Sequence, residues 1–382
     1  MKRTALTWMF ILTALVPRAQ SFGKWIQHLD RLPLTARQEA VDSFLIANQS
    51  YPFIEQDSVC HFIFRGTAAT VTVAGDMTGW QPGRIVLQRV DGTDFWSGTS
   101  IFPPDARLDY KIVADTTWTL DPRNWFTSRT GFGTNSELRM PRYKPAPESV
   151  YDSAVPHGTM TDTIFYSTFF GNVRPVKIYL PAGYNRTTRP YPVVLFHDGL
   201  EYITLGDAIV ILDNLIATHR IRPVIGIFVG PLERDREYSG VLKDQYVHFL
   251  VNEMMPVIDT RYNTSSNAQN RATVGISNGG NAALYLGCRH PESFAKIAAY
   301  SSNVTPEVTA ALSTPRNMDL EFYIDIGRYD IPELIPMVEK LASLLKKKGY
   351  PHTFYRWNDG HSWANWRDHL SVSLIQFFPP DK

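Results

Sequence analysis

The sequence predicts an α/β protein in which a doubly wound sheet is preceded by a small all-β sandwich. Two patterns along the 382 residues lead to this prediction. Residues 57–137 contain short β-rich segments separated by turn residues such as Asp91-Gly92, at roughly ten-residue spacing. Residues 158–382 alternate short apolar runs with helical patterns, as expected for parallel strands buried on both faces and their connecting helices.

The composition fits a large globular chain and disfavours two classes of partner. Hydrophobic residues make up 44% of the chain, which is enough to fill large cores. Because 38 Lys and Arg residues balance 37 Asp and Glu residues, no global charge attracts nucleic acid or an anionic membrane. The chain also has 9 Trp, 18 Tyr and 21 Phe residues. Because aromatic side chains are costly to leave in water, they either fill cores or line sites for flat or sugar-like ligands.

The first residues have the pattern of a secretory signal. Lys2-Arg3 precedes an apolar run over residues 5–16, and small or polar residues follow at 19–21. The run is shorter than the roughly 20 residues that span a bilayer, although an uncleaved anchor or a buried helix is the alternative. We expect residues 1–20 to be removed, leaving a secreted or periplasmic protein without a membrane span. Residues 21–56 then form a helical segment, interrupted at Pro33.

Four motifs within the predicted sandwich resemble one family of β-domains. They are VTVAGDMTGW (71–80), Phe95-Trp96, LDYKIV (108–113) and Asp121-Pro-Arg-Asn124. This series is similar to the E-set, immunoglobulin-like domains related to glycogen-binding modules. The resemblance implies a glycan contact through this domain or a purely supporting role beside an enzyme. Either way, we expect four tryptophans to lie in the sandwich core or at a domain interface: Trp80, Trp96, Trp118 and Trp125.

A linker is predicted between the two halves. Residues 138–157 contain four prolines and no hydrophobic periodicity, so they indicate a linker or an extended strap. The two cysteines, Cys60 and Cys288, then belong to different domains. We expect both to be buried thiols without a disulfide bridge between them.

The strongest motif is Gly275-x-Ser277-x-Gly279, which lies between a predicted strand and a predicted helix. This is the nucleophile elbow of the α/β-hydrolase fold, in which a sharp turn places the serine at the helix N-terminus. Small flanking residues are needed because the turn brings backbone segments close together. The motif predicts Ser277 as the nucleophile and the backbone N–H of Asn278 as one oxyanion-hole donor.

Such a serine requires a base and an acid further along the chain. His361 lies in a glycine-marked loop after a predicted strand, where α/β folds build their sites, so we expect it to be the base. For the acid, Asp330 follows the strand before it and is preferred to Asp325, which lies within that strand, and to Asp359. The order Ser277, Asp330, His361 is that of the α/β-hydrolases.

A second oxyanion donor should come from the loop after an early strand. That loop is HDGLE, residues 197–201. The N–H of Leu200 is the preferred donor and that of Gly199 the alternative, while an ordinary strand–helix turn would supply neither.

Six motifs in chain order resemble the esterase D-like family. They cover about residues 158–380: YLPAGY (179–184), YPVVLFHDG (191–199), RDREY (234–238), GISNGG (275–280), GRYD (327–330) and GHSWANWR (360–367). The family includes enterochelin esterases, feruloyl and acetylxylan esterases, and mycolyltransferases. The resemblance implies an α/β-hydrolase catalytic domain over residues 158–382 that needs no cofactor and no metal. His197 departs from the family pattern, since many relatives have an apolar residue there.

We therefore expect an exported serine carboxylic-ester hydrolase acting on feruloyl or acetyl esters of plant cell-wall polysaccharide. An enterochelin-type siderophore esterase is the alternative, and a non-catalytic carbohydrate-binding protein on an esterase scaffold is the alternative of another class. Candidate substrate contacts are two polar side chains, His197 and Arg234, and two aromatic ones, Tyr329 and Trp363. Ion pairing for the arginine and core packing for the tryptophan are the competing interpretations.

Overall fold

The computed structural model describes residues 21–187, 189–314 and 318–381. The predicted secretory signal, residues 1–20, lies outside the described residues. Within the described ranges, no helix is both long and apolar enough to cross a membrane. Two helices open this part of the chain, α1 (Phe22–Arg31) and α2 (Leu34–Ala47). Their aromatic side chains pack on the following β-domain, where Trp25 meets Phe95 edge-on at 5.5 Å.

The β-domain consists of antiparallel strands in two sheets. One sheet has the strand order β1-β2-β5-β4. Strand β4 also pairs with β3, which begins the second sheet. There β3 pairs with β6, β6 pairs with both β7 and β9, and β9 pairs with β8. Apolar side chains such as Phe62, Val73 and Tyr110 alternate into the core between them. The strands are β1 (Phe53–Glu55), β2 (Val59–Arg65), β3 (Val71–Gly75), β4 (Ile85–Arg89), β5 (Phe95–Ile101), β6 (Arg107–Ala114), β7 (Thr117–Thr119), β8 (Thr127–Thr130) and β9 (Gly133–Arg139).

The second sheet system is mostly parallel. Its strand order is β10-β11-β13-β12-β14-β15-β16-β17. The pairs β10–β11 and β11–β13 are antiparallel, and the pairs from β13 to β17 are parallel. The central strands are buried along their whole length, as predicted from their apolar runs. The strands are β10 (Thr159–Ser167), β11 (Asn172–Leu180), β12 (Val193–His197), β13 (Ile225–Val229), β14 (Arg271–Ile276), β15 (Lys296–Tyr300), β16 (Glu321–Tyr329) and β17 (His352–Gly360).

Helices cover both faces of this sheet and complete an α/β-hydrolase arrangement, which confirms the predicted fold class. A π-helical turn at Phe249–Met254 joins two of these helices, Lys243–His248 and Met255–Arg261. The helices are α3 (Gly199–Thr204), α4 (Ala208–Ala217), α5 (Arg234–Tyr238), α6 (Lys243–His248), α7 (Met255–Arg261), α8 (Ser277–Arg289), α9 (Pro306–Ser313), α10 (Leu334–Lys348) and α11 (Trp363–Phe377).

The β-domain and the parallel sheet are joined by main-chain and side-chain contacts. Strand β6 pairs with β17 through Arg107 and Asp359. The segment between β9 and β10 lies along helix α4, where the Asn214 side-chain amide donates to the carbonyls of Glu148 (2.8 Å) and Val150 (2.9 Å). These two bonds hold the middle of the segment against the helix.

The tryptophans of the β-domain divide between its core and its surface. Trp96 is buried, and its indole N–H donates to the Gly66 carbonyl at 3.0 Å. Trp80, Trp118 and Trp125 are instead 36%, 43% and 87% exposed. The expectation that all four rings fill a core or an interface is wrong for these three, because they lie in turns, loops and the outer strand β7 rather than on the buried strands. Cys60 and Cys288 are both buried and free.

Candidate active site

Ser277 lies at the turn between β14 and α8 in a strained backbone conformation. Its φ is +52°, in the left-handed region that side-chain-bearing residues seldom adopt. The flanking glycines make this turn possible. A Cβ on Gly275 would lie 2.0 Å from the carbonyl oxygen of Gly279, and one on Gly280 would lie 2.7 Å from Ser302 Oγ. The G-x-S-x-G spacing is thus required by close backbone packing around the serine.

Side chains fix the first turn of α8. The Asn278 side-chain amide donates to Asp235 Oδ1 at 2.8 Å, and its carbonyl oxygen accepts from Asn303 at 3.1 Å. The Asn303 backbone N–H donates to the Ser277 carbonyl at 3.2 Å. Because N–H groups in the first turn of a helix have no partner within that helix, the Asn278 N–H is available to an oxyanion.

His361 and Asp330 form a hydrogen-bonded pair. His361 Nδ1 lies 2.7 Å from Asp330 Oδ1, and the Asp330 side chain is fully buried. The carboxylate also accepts from Ser301 Oγ (2.6 Å) and from the Ile331 backbone N–H (2.7 Å). An Nδ1–H that donates to the carboxylate leaves Nε2 of the imidazole as a proton acceptor. Trp366 packs edge-on against the imidazole at 4.8 Å.

The other two candidate acids bind a different histidine. Asp325 accepts from the Tyr323 hydroxyl (3.0 Å), and its Oδ2 lies 3.6 Å from His369 Nδ1. Asp359 lies 3.4 Å from the other nitrogen of His369. Burial raises the pKa of Asp359 to about 8, with Asp325 and Asp330 adding to the rise and His369 opposing it. The geometry therefore favours Asp330 as the partner of His361.

Sheet topology brings Ser277, Asp330 and His361 to one edge. They follow the C-terminal ends of β14, β16 and β17, which are parallel strands of one sheet. Ser301, at the end of the intervening strand β15, links this row through its hydrogen bond to Asp330. Ser301 has a φ of +45°, and sequence reasoning missed it. Its only signal was a polar Ser-Ser-Asn run directly after a buried strand.

The loop after β12 lies close to the nucleophile turn. Asp198 has a φ of +54°, and a Cβ on Gly199 would lie 2.5 Å from the backbone of β13, so this position requires glycine. Leu200 follows in the first turn of α3 with an exposed side chain. Arg234 makes a two-pronged ion pair with Asp198, at 2.8 Å for each bond, and reaches the Ile276 carbonyl at 3.4 Å. It thus joins the loop to the residue before Ser277.

A family model decides the relationship of this chain. The model named Esterase, with the description "Putative esterase", matches residues 167–377. The chain belongs to this esterase family. The match contains Ser277, Asp330 and His361, and it confirms the esterase resemblance of the C-terminal motifs.

The chain also resembles individual proteins in sequence or in fold. An endo-1,4-beta-xylanase/feruloyl esterase of Xylanibacter ruminicola is 26% identical over 332 residues, which are 81% of this chain and 44% of that protein. The chain thus spans less than half the length of this relative. Ferric enterobactin esterase of Salmonella typhimurium has a TM-score of 0.74 at 18% identity, covering 88% of this chain and 98% of that one. A ferulic acid esterase of Anaeromyces mucronatus has a TM-score of 0.52 at 18% identity, covering 62% and 94%.

His197 does not line a pocket in this esterase-family chain, and the predicted substrate contact is wrong. Its side chain is fully buried in β12, and its ring nitrogens bond to the Tyr246 hydroxyl (3.1 Å) and Thr273 Oγ1 (2.9 Å). Burial lowers the pKa of His197 to about 3, so the ring is neutral near pH 7. Its role is to satisfy two buried hydroxyl groups, that of Tyr246 on α6 and that of Thr273 on β14.

The other three predicted contacts also have structural partners. The Arg234 charge is paired with Asp198 rather than free for an anionic substrate. Trp363 is buried, packing edge-on against Tyr202 at 5.2 Å and Trp366 at 5.5 Å, which contradicts an open aromatic slot. Tyr329 is partly buried and faces Phe102 of the β-domain at 6.2 Å.

The last feature considered is metal binding by the described residues. Across residues 21–187, 189–314 and 318–381, no group of three or more His, Cys, Asp or Glu side chains is placed to hold a metal ion.

Proposed function

We propose that this protein is a serine carboxylic-ester hydrolase with Ser277 as nucleophile, His361 as base and Asp330 as acid. One observation carries the proposal. The 2.7 Å His361–Asp330 pair lies at the sheet edge where Ser277 occupies its strained turn. These three polar residues are distant in sequence but follow strand ends on the same side of one parallel sheet, which is the arrangement that ester hydrolysis by a serine requires.

The reaction follows from these positions. Nε2 of His361 takes the Ser277 hydroxyl proton as Oγ attacks the ester carbonyl carbon, and Asp330 stabilises the resulting imidazolium. The backbone N–H groups of Asn278 and Leu200 donate to the oxyanion of the tetrahedral intermediate. His361 then returns the proton to the alkoxide oxygen as the C–O bond breaks, which leaves an acyl-serine. A water molecule, deprotonated by His361, hydrolyses the acyl-serine and regenerates Ser277.

The substrate class that we propose is a feruloyl or acetyl ester of plant cell-wall polysaccharide. The relative named as a xylanase/feruloyl esterase supports it, because its similarity extends over 81% of this chain. The predicted export and the exposed Trp118 and Trp125 of the β-domain are consistent with an extracytoplasmic glycan substrate. We also propose the domain division at residues 138–157, from their four prolines and lack of hydrophobic periodicity, and a secreted or periplasmic location, from the signal pattern at residues 1–20.

A siderophore ester is the second candidate. It is favoured by the structural similarity to ferric enterobactin esterase, which covers 88% of this chain and so includes the β-domain. A non-catalytic carbohydrate-binding role on an esterase scaffold is the candidate of a different class. The hydrogen-bonded pair of His361 and Asp330 argues against it, because a binding protein has no need of an oriented imidazole.

Hydrolysis assays separate these candidates. Full-length protein is given p-nitrophenyl acetate, methyl ferulate, acetylated xylan and ferric enterobactin in parallel, with Ser277→Ala as the negative control. Release of ferulate or acetate with kcat/KM above that for ferric enterobactin supports the cell-wall substrate. The reverse ranking supports the siderophore ester. Lack of turnover on all four substrates contradicts the enzyme proposal.

A further inference from the structure

Arg107, the first residue of β6, is a buried cation at the junction of the β-domain and the parallel sheet. It is only 1% exposed. Its Nη2 lies 2.7 Å from Asp109 Oδ1 and its Nε lies 3.0 Å from Glu137 Oε1. A buried guanidinium is tolerated only when charged partners compensate for its lost hydration. Two carboxylates of the β-domain thus fix the plane and position of this side chain.

The remaining amino group of Arg107 points across the junction. Nη1 donates to Ser362 Oγ at 2.8 Å and to Asn365 Oδ1 at 3.2 Å. Ser362 directly follows His361 in the chain. The Asn365 amide in turn donates to the Gly360 carbonyl at 2.8 Å, on the other side of the histidine. The Arg107 guanidinium therefore holds Ser362 directly and Gly360 through Asn365, which are the two residues that flank His361.

The backbone of the histidine loop also fits closely against the β-domain. A Cβ on Gly360 would lie 2.2 Å from Asp76 Cγ, so the loop approaches the turn after β3 as closely as a glycine allows. Asp76 Oδ2 accepts from the Asp109 backbone N–H at 2.8 Å. The main chain of Asp359 pairs with that of Arg107. The loop that carries His361 is thus built against the β-domain as well as against its own sheet.

We propose that Arg107 is a positioning residue for His361, so that the β-domain forms part of the catalytic unit. The inference rests on the proposed function, in which His361 is the base. A base must stay within hydrogen-bond reach of the nucleophile, and the groups that lock its loop determine how often it does. An arginine suits the task because its planar fork contacts two carboxylates while it donates to two neutral acceptors, which a lysine ammonium cannot do in the same geometry.

A double-mutant cycle between Arg107 and Ser362 tests the proposal. Arg107→Lys keeps the buried positive charge but loses the fork, and Ser362→Ala removes one acceptor without removing a helix cap. We expect Arg107→Lys to lower kcat for p-nitrophenyl acetate by between about 10-fold and 100-fold, because a small misplacement of a catalytic group has effects of that order. We expect KM to change by less than about twofold, since the ester itself is not contacted.

The pairing of the two residues predicts strong non-additivity. With Arg107 already replaced, the additional Ser362→Ala change should lower kcat by less than about twofold, because their shared bond is already lost. Arg65→Lys is the matched arginine control, since Arg65 pairs with Asp42 and Asp94 of the N-terminal region and not with the histidine loop. Ser373→Ala is the matched serine control, a buried hydroxyl of α11 that bonds Tyr300.

Two measurements keep this inference separate from folding and from the proposed function. The kcat values are expressed per active site titrated with a fluorophosphonate, and thermal melting is recorded for every variant. Independent, additive effects of the two changes, or wild-type kcat per active site in Arg107→Lys, would overturn the positioning role. If wild-type protein is not labelled, or Ser277→Ala is labelled equally, the proposed function fails instead.

Discussion

The edge of the parallel sheet and the outer surface of the β-domain both carry residues that chemistry could use, but only the first could be read from sequence. At the sheet edge, Ser277 and Asp330 follow largely buried strands and His361 follows the neighbouring parallel strand β17, so their place in the chain nearly determines their place in space. In the antiparallel β-domain, neighbouring positions face opposite sides. Trp96, on β5, is buried, whereas Trp125 lies between β7 and β8, outside any strand, and is exposed.

The largest effect should separate the two acids at the sheet edge. We expect Asp330→Asn to lower kcat by about 10³-fold or more, because the amide favours the wrong imidazole tautomer, and Asp325→Asn by less than about tenfold. Steady-state hydrolysis of p-nitrophenyl acetate measures both. Equal losses in the two variants would show that position after a strand does not identify the acid.

The next effect concerns the core of the β-domain. Trp96→Ala removes a buried ring and leaves the Gly66 carbonyl without its indole donor. We expect a loss of about 3–5 kcal/mol in the free energy of unfolding, measured by denaturant titration. A loss below about 1 kcal/mol would mean that the ring contributes little to packing.

His197 gives an intermediate effect with a characteristic pH dependence. Its folded pKa of about 3 is below the ordinary 6.5, so the unfolded chain binds the proton more readily between these values. By linkage, the His197 contribution to stability is complete above pH 6.5 and is lost as pH falls toward 3. We expect His197→Gln to be less stable by about 1–3 kcal/mol at pH 7, since it disturbs two buried hydrogen bonds.

The pH test compares how steeply the free energy of unfolding changes with pH in the wild type and in His197→Gln. Wild-type stability should fall more steeply than that of His197→Gln between pH 6.5 and 5, in chemical denaturation at each pH. KM for p-nitrophenyl acetate should be unchanged at pH 7. A raised KM and an unchanged free energy of unfolding in His197→Gln would show instead that His197 contacts the substrate.

The smallest effect is expected at the exposed surface of the β-domain. Trp125→Ala should change the free energy of unfolding by no more than about 0.5 kcal/mol, because the ring is 87% exposed. If the β-domain contacts glycan through this ring, the full-length variant should lose retention on xylan while hydrolysing p-nitrophenyl acetate normally. Unchanged retention would leave the β-domain with a supporting role alone.

Sequence reasoning succeeded where the determining contacts are local and failed where they are distant. The strained turn at Ser277 is specified by glycines within three residues of it. His197, by contrast, is satisfied by hydroxyls 49 and 76 positions away. The bond from Arg107 to Ser362 joins residues 255 positions apart, across two sheets, and no periodicity predicts it. Chain order therefore revealed the candidate catalytic residues but not the residues that hold them.

Covalent labelling tests the central claim most directly. Wild-type protein and the exposed-serine control Ser343→Ala are treated with a fluorophosphonate, alongside Ser277→Ala, and the modified peptide is mapped by mass spectrometry. We expect one adduct on Ser277 in the first two proteins and none in the third, because only a serine with an oriented base reacts at this rate. Undiminished labelling of Ser277→Ala, or no labelling and no hydrolysis by the wild type, would contradict the assignment of Ser277 as the nucleophile.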